Sequence, residues 1–375
     1  MKLKTMLAVG MLPPPLGGQA LMFERAVQAL ETEYDIKVID IQFQKNLGES
    51  GLFSIRKLIH FFSLLFRRMI PVVFTKQFDI LYYCLSGPSR FGLIKDLIFL
   101  GFLRPRAKKT VYHLHGAGGV AFLMQSNGLL RTWARLVLFR PDLVLRPPGA
   151  TSDEAALCQA KREIIVNNGI EDPIAITAEP TRKWPDGELS FAFVGLITED
   201  KGVFDLVEIA RLLRDRGHRF TMFIVGEGIP KEVDQLKRLV YRYDLADFVQ
   251  LTGVLAGEKK FKLLQNTTIY LFPTYFRAET QPTAIMEALA LGVPVVASDW
   301  RAVNTIIDQA VNGYIVPPRD PPAFCRAIET ILTDGTIDRM RLAARRVFCK
   351  RFTLDRHVEA LKLAFRSLDA EHING

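Results

Sequence analysis

Apolar residues along this chain come in short runs separated by longer stretches of mixed character. One series comprises Met6–Met11, Ile36–Ile39, Ile80–Cys84, Thr110–Leu114, Leu143–Leu145 and Ile164–Val166. A second comprises Phe191–Val194, Thr221–Val225, Phe248–Thr252, Ile269–Phe272, Val293–Ala297 and Tyr314–Val316. Each run is short and apolar on both sides, which predicts a strand buried on both faces of a parallel sheet. Helical periodicity fills gaps between them, at Gln19–Leu30, Phe204–Arg216, Lys231–Tyr243, Glu258–Gln265, Thr283–Leu291 and Pro322–Leu332. Strand alternating with helix predicts an α/β architecture with helices on both sheet faces. The Pro-rich interval Asp172–Gly187 breaks the series in two.

That break predicts two doubly wound domains. The expected boundaries are 1–170 for the first, 171–189 for a linker and 190–351 for the second. The segment 352–375 has a helical pattern and is expected to pack back on the first domain. Sheets of this kind bind ligands beyond the carboxyl ends of their strands, so two facing domains predict a site in a cleft. A chain of 375 residues suits this division, being longer than one core usually serves.

Composition, 49% hydrophobic and 24% charged, is that of a folded protein. Cys84, Cys158, Cys325 and Cys349 have neither paired nor metal-ligand spacing, so they read as reduced packing thiols of a cytosolic protein. The opening MKLKTMLAVG imitates a secretory signal, but its apolar run is short, contains Gly10 and leads to no small-residue cleavage site. A first strand is the better reading. No apolar run has membrane-spanning length; Phe61–Leu65 is bracketed by Arg56, Lys57, Arg67 and Arg68. Charge adds more. The net charge is +9, yet residues 1–146 alone hold 20 Lys and Arg against 9 Asp and Glu, which points to an anionic partner surface.

Several strand ends carry candidate chemistry. After the first strand, Gly17 and Gly18 in PPPLGGQA let a ligand approach the backbone at a helix N-terminus, where free N–H groups favour an anion. An ordinary turn would use the same two glycines. In VYHLHGAGG, His113 and His115 share one face of a strand; no third metal ligand is evident, and His115, at the strand's end before a glycine-rich turn, is the functional candidate of the two. Gly195 ends a strand in FVGLITEDKGV, and Lys201 stands near a helix N-terminus, placed to neutralise phosphate. Gly226, in FIVGEG, repeats the strand-then-glycine pattern. Glu279 and Glu287 flank the start of an apolar helix beginning near Gln281, with Thr280 or Thr283 as its cap. First-turn N–H groups there would hold a pyrophosphate, and Glu287 would accept hydrogen bonds from ribose hydroxyls. A plain helical glutamate paired with a lysine is the structural alternative for Glu287.

Taken in order, PPPLGGQ, HLHG, VNNGI, FVGLITEDKG, IVGEG, LFPTY, the segment ETQPTAIME with its continuation ALALGVPVVASD, and NGYIVPPRD resemble the retaining glycosyltransferases of family 4. The resemblance implies the GT-B fold, two Rossmann-like domains facing across a cleft. It assigns Glu279 to the donor sugar, Glu287 to the nucleotide ribose, and His115 to the region near donor sugar and acceptor. Lys201 matches one of the family's two diphosphate-binding cations. The other would follow Gly195, where this chain has Leu196; Arg277 is a nearby replacement. Thr280, Gln281 and Pro282 depart from the commoner loop, and Pro282 removes one N–H.

The implied reaction is transfer of a sugar from a nucleotide diphosphate sugar to an acceptor hydroxyl with retention, using no cofactor and no bound metal. The implied acceptor is a glycan or lipid-linked molecule of bacterial surface polysaccharide or glycolipid synthesis. Residues 45–109 hold 12 Lys and Arg against 3 Asp and Glu, and 52–74 mixes Phe, Leu and Ile with basic residues. This predicts an interfacial helix on an anionic membrane, hence a cytoplasmic protein held peripherally at the inner face of the cell membrane. A first-domain helix with solvated basic ends would look similar. Nucleic-acid signatures are absent. The rival functions are a nucleotide-sugar epimerase of the same fold and a degenerate, non-catalytic nucleotide-sugar-binding protein.

Overall fold

The computed structural model describes residues 3–14, 18–42, 55–74, 77–87, 89–116, 118–149, 153–174, 189–333 and 335–368, with the backbone alone at 55–57 and 73. Gly17, residues 52–54 and most of the expected linker therefore lie outside the described residues. The chain divides into two compact units, one of residues 1–168 with 357–375, the other of residues 169–356.

The first unit holds a six-stranded sheet of β1 (Lys4–Gly10), β2 (Tyr34–Asp40), β3 (Phe78–Leu85), β4 (Ala107–Leu114), β5 (Leu143–Arg146) and β6 (Glu163–Ile165), in the order β2-β1-β3-β4-β5-β6. Every pairing is parallel. Alternation along β3 sorts its side chains between two cores: Leu81, Tyr83 and Leu85 enter one, Ile80, Tyr82 and Cys84 the other. The first core is covered by the helical segments Ile55–Val73, Arg90–Leu103, Gly119–Met124 and Gly128–Leu138. The second is covered by Gly18–Leu30 and by Leu354–Ser367, whose Leu361, Ala364 and Phe365 are buried against it. Phe365 meets Tyr82 edge-on at 5.4 Å and Tyr34 at 6.0 Å.

The second unit holds β7 (Leu189–Val194), β8 (Phe220–Val225), β9 (Val249–Gly253), β10 (Ile269–Phe272), β11 (Val295–Ser298) and β12 (Gly313–Val316), in the order β12-β11-β10-β7-β8-β9. All pairings are again parallel. This is the Rossmann strand order, with its switch point between β7 and β10. The apolar runs predicted as strands are the strands observed. Helix Thr283–Ala290 starts where the helical period over Thr283–Leu291 placed it rather than near Gln281; its N-cap is Pro282, with no side-chain cap, so neither Thr280 nor Thr283 caps it. Its end is set by Gly292, at φ +68°. Gly292 N–H donates to Leu289 O at 3.0 Å and Val293 N–H to Ala288 O at 2.9 Å, the paired bonds of a Schellman turn.

The loops leaving β7, β8 and β10 pack backbone to backbone, which only glycine allows. Gly226 has φ +148°, and a Cβ there would stand 1.8 Å from Gly195 O. Gly202 has φ +75°, and its Cβ would stand 2.2 Å from Pro273 O. Gly226→Ala is expected to cost about 2–4 kcal/mol. Calorimetry reads this as a lowered Tm; a variant melting within about 1 °C of the parent would show that the loop yields without cost.

Candidate functional site

The switch point of the second sheet gathers residues from distant segments. From β7 the chain passes Gly195 and Leu196, makes a 3-10 turn over Glu199–Lys201, and enters helix Val203–Asp215 through Gly202. From β10 it passes Pro273 and Thr274 to Glu279. Tyr275 N–H donates to Asp200 O at 2.8 Å, which ties the two loops together. Lys201 Nζ then reaches Glu279 Oε2 at 2.6 Å, and Thr274 Oγ1 donates to the same oxygen at 3.1 Å. Glu279 is buried. Lys201 also lies 4.6 Å from the centre of the Phe276 ring. A half-buried ammonium is thus held by a carboxylate on one side and an aromatic face on the other.

Glu287 lies on helix Thr283–Ala290 and binds Lys260 Nζ at 2.7 Å, the lysine coming from helix Gly257–Gln265. Sequence reasoning anticipated a lysine partner only as the alternative to a ribose role, and did not single out Lys260. Nothing in the run EKKFK marks one lysine above its neighbours. Each glutamate is therefore charge-paired, with side chains at 9–18% exposure. Such pairs hold position against the desolvation cost of burial. They also leave two cations and two carboxylates for a ligand to exchange with.

The remaining candidates in this unit separate by exposure. Thr280 and Gln281 are buried beside Glu279, whereas Arg277 is exposed on the same loop. Thr283 opens the helix and is half-buried. Gly195 N–H donates to Val225 O at 3.0 Å and Gly226 N–H to Gly253 O at 2.9 Å, so both glycines serve the packing of the loops. Leu196, which follows Gly195, is half-buried.

The first unit places its candidates at the ends of β1 and β4. Gly18 is the first residue of its helix, and a Cβ there would meet nothing within 4 Å, so its backbone is open to approach. Gly17 lies outside the described residues. His115 follows β4 with its ring 3.9 Å from that of His113, and both of its ring nitrogens are shielded from solvent. Tyr82 Oη and His113 Nδ1 share a 2.6 Å hydrogen bond. His357 brings a third imidazole near these rings, its Nδ1 2.7 Å from Asn167 O. Burial pushes His115 down to about 3 and His113 well below the usual imidazole range. Cys84 supplies the third ligand type that the sequence did not reveal: its Sγ and the His113 and His115 nitrogens lie within 4.8 Å of one another. Burial pushes that thiol far up, so the group is neutral at ordinary pH.

Beside the Lys201 loop, Asp205 was also missed. Burial raises its carboxyl to about 6, against a lowering by Arg319. Arg319 in turn stacks on Tyr275 at 4.1 Å.

Comparisons with known proteins place this geometry. Residues 188–334 match the family described as Glycosyl transferases group 1. The amylovoran biosynthesis glycosyltransferase of Erwinia amylovora is 34% identical over 149 residues, which are 39% of this chain and 36% of that protein. The match thus spans about a third of the curated relative's length. Over nearly the whole chain, the likeness is to solved structures. The Anabaena protein HepE in complex with UDP and glucose aligns with a TM-score of 0.69 at 14% identity, covering 97% of this chain and all of that one. A lipopolysaccharide outer core galactosyltransferase aligns with a TM-score of 0.70 at 13% identity, covering 97% and 99%. These likenesses establish the GT-B fold.

Asp205 gives the unit a defined pH response. A raised carboxyl means that the folded state holds its proton more tightly than the unfolded one, so stability falls as pH rises from about 4 to about 6. Asp205→Asn is expected to stabilise the protein at pH 7.5 by about 1 kcal/mol, discounted for partial exposure. The gain should vanish near pH 4. Denaturant melts at the two pH values check this, and an equal gain at both would remove the titration from the explanation.

Proposed function

We propose that this chain, whose residues 188–334 match the group 1 glycosyl transferases, is a retaining glycosyltransferase acting on a nucleotide diphosphate sugar. The observation that carries the reading is the pair of lysine–glutamate contacts, Lys201–Glu279 and Lys260–Glu287, about the N-terminus of helix Thr283–Ala290 at the switch point. In this reading the donor diphosphate takes Lys201 and the first-turn N–H groups, an anion site at a helix N-terminus. Glu279, released from Lys201, accepts hydrogen bonds from the sugar hydroxyls. Glu287 accepts from the ribose hydroxyls, with Lys260 holding its carboxylate in place. Arg277 supplies the second cation that Leu196 does not.

Chemistry follows from charge placement. The bond from the anomeric carbon to the diphosphate oxygen breaks, and the acceptor oxygen bonds the same carbon on the same face. The acceptor's proton passes to the departing diphosphate oxygen. Lys201 and Arg277, once turned to that oxygen, stabilise its developing charge, worth several kcal/mol in comparable sites, and no protein-bound metal is part of this scheme. His115 is assigned to the acceptor side, a role that requires its shielded ring to turn outward.

The acceptor in this reading is a glycan or lipid-linked molecule of surface polysaccharide synthesis, as the printed function of the Erwinia relative suggests. The segment 52–74 would rest on the cytoplasmic face of the membrane. Its helix buries Phe61, Leu64, Met69 and Val72 while Ile59, Phe62, Phe66 and Phe74 are exposed beside Arg67 and Arg68. No helix among the described residues is long and apolar enough to cross a membrane; the exposed apolar and basic side chains of this segment support surface attachment.

A thermal-shift panel of UDP-, GDP-, ADP- and dTDP-sugars tests the donor site. One donor should raise the Tm by a few degrees at about 100 times its Kd, and Glu287→Ala and Lys201→Ala should each abolish the response. If no donor stabilises the protein at millimolar concentration, the transferase reading fails. Turnover of a stabilising donor without any acceptor would indicate an epimerase; binding with neither transfer nor hydrolysis would indicate a non-catalytic binder.

A further inference from the structure

Helix Arg90–Leu103 is built inside out. Its internal charges, Lys95 and Asp96, are 5% and 1% exposed, paired at 3.2 Å. Tyr83 Oη donates to Asp96 Oδ1 at 2.8 Å and Ser86 N–H to Oδ2 at 2.7 Å, so the carboxylate is fully engaged within the unit. The outward stripe is instead Ile94, Gly101 and Phe102, residues seven to eight apart, with the half-buried Ile98 between them. A helix facing water places its charges the other way round. This outward face is made for an apolar environment.

Its neighbour extends the face. Helix Gly128–Leu138 packs on the same core through Ala134 and Leu138, while Leu129 and Leu136 stand 88% and 78% exposed. With the partly exposed Trp133 they occupy positions i, i+4 and i+7, one continuous outer stripe. Exposed Arg131 and Arg135 flank it. Phe61, Leu64, Met69 and Val72 enter that core as well, so the proposed interfacial segment, this helix and Arg90–Leu103 all cover one side of the first sheet. A soluble monomer rarely leaves so many large apolar side chains together on one layer.

We infer that these three helical segments form a single membrane-docking face, with Arg90–Leu103 central and Gly128–Leu138 as a second anchor, and that its occupant is an anionic lipid bilayer. Charge complementarity selects that partner: Arg67, Arg68, Arg131 and Arg135 border the apolar stripes. Leu and Trp on one helical face with Arg beside them is the composition that lies in a lipid interface. The inference rests on the membrane reading above and extends it to residues the sequence did not single out. It gives the unit a broad footing, which fixes orientation better than one helix does.

Vesicle cosedimentation tests it with the full chain, using phosphatidylglycerol–phosphatidylcholine and pure phosphatidylcholine vesicles. The wild type should bind the anionic vesicles and release with salt. Leu129→Glu combined with Leu136→Glu should weaken binding by about tenfold or more, with an unchanged Tm. Arg131→Gln with Arg135→Gln should flatten the salt dependence. If the leucine variant binds like wild type while Phe62→Glu with Phe66→Glu does not, the wider face is refuted and the segment 52–74 alone docks. A wild type that ignores both vesicles but self-associates would overturn the lipid assignment altogether. The donor thermal shift, read on the same samples, reports the transferase reading separately.

Discussion

Parallel strands deliver all their carboxyl ends to one edge of a sheet, and in the second unit β7 and β10 send their connections in opposite directions from that edge. A gap between adjacent loops is the geometric result. It lets a lysine and a glutamate 78 positions apart meet at 2.6 Å without a strand or helix in between. The close backbone approach of Gly202 to Pro273, and of Gly226 to Gly195, holds the walls of that gap. Replace these contacts with side chains and the loops must part, taking Lys201 away from Glu279. The electrostatics of the site is downstream of where the backbone is allowed to touch.

Charge in that gap is balanced before any ligand arrives. Two cations each hold a carboxylate, and both pairs are mostly withdrawn from water. An unpaired charge at such a depth would be costly. In the proposed reading, a polyanion with hydroxyl groups offers Lys201 and Glu279 substitute partners at once, while Lys260 stays on Glu287. The exchange keeps every charge accompanied, which is the condition under which a buried polar site can open and refill.

The strands were legible because they are apolar on both faces and short, a pattern that parallel packing imposes. The two glutamates were legible because a carboxylate in an apolar run calls for a partner; the identity of the second partner, Lys260, was not, because it comes from a separate helix. Helix Arg90–Leu103 escaped for a related reason. RFGLIKDLIFLGFL is apolar almost all round, so no polar stripe advertises helical period. Cys84 was hidden by the register of β3 against β4, which sets it opposite His113. Period is a local signal, and these features are set by non-local pairing.

The helix Leu354–Ser367 closes one face of the first sheet with residues that the ribosome adds after all of the second unit. At usual elongation rates roughly ten to forty seconds pass between completion of residue 168 and arrival of that helix. During that interval Tyr34 and Tyr82 have no Phe365 to cover them. The unit that emerges first therefore finishes last, and its nascent form presents a sheet face covered by helix Gly18–Leu30 alone to chaperones, or to other nascent copies, for as long as its sister unit takes to be made.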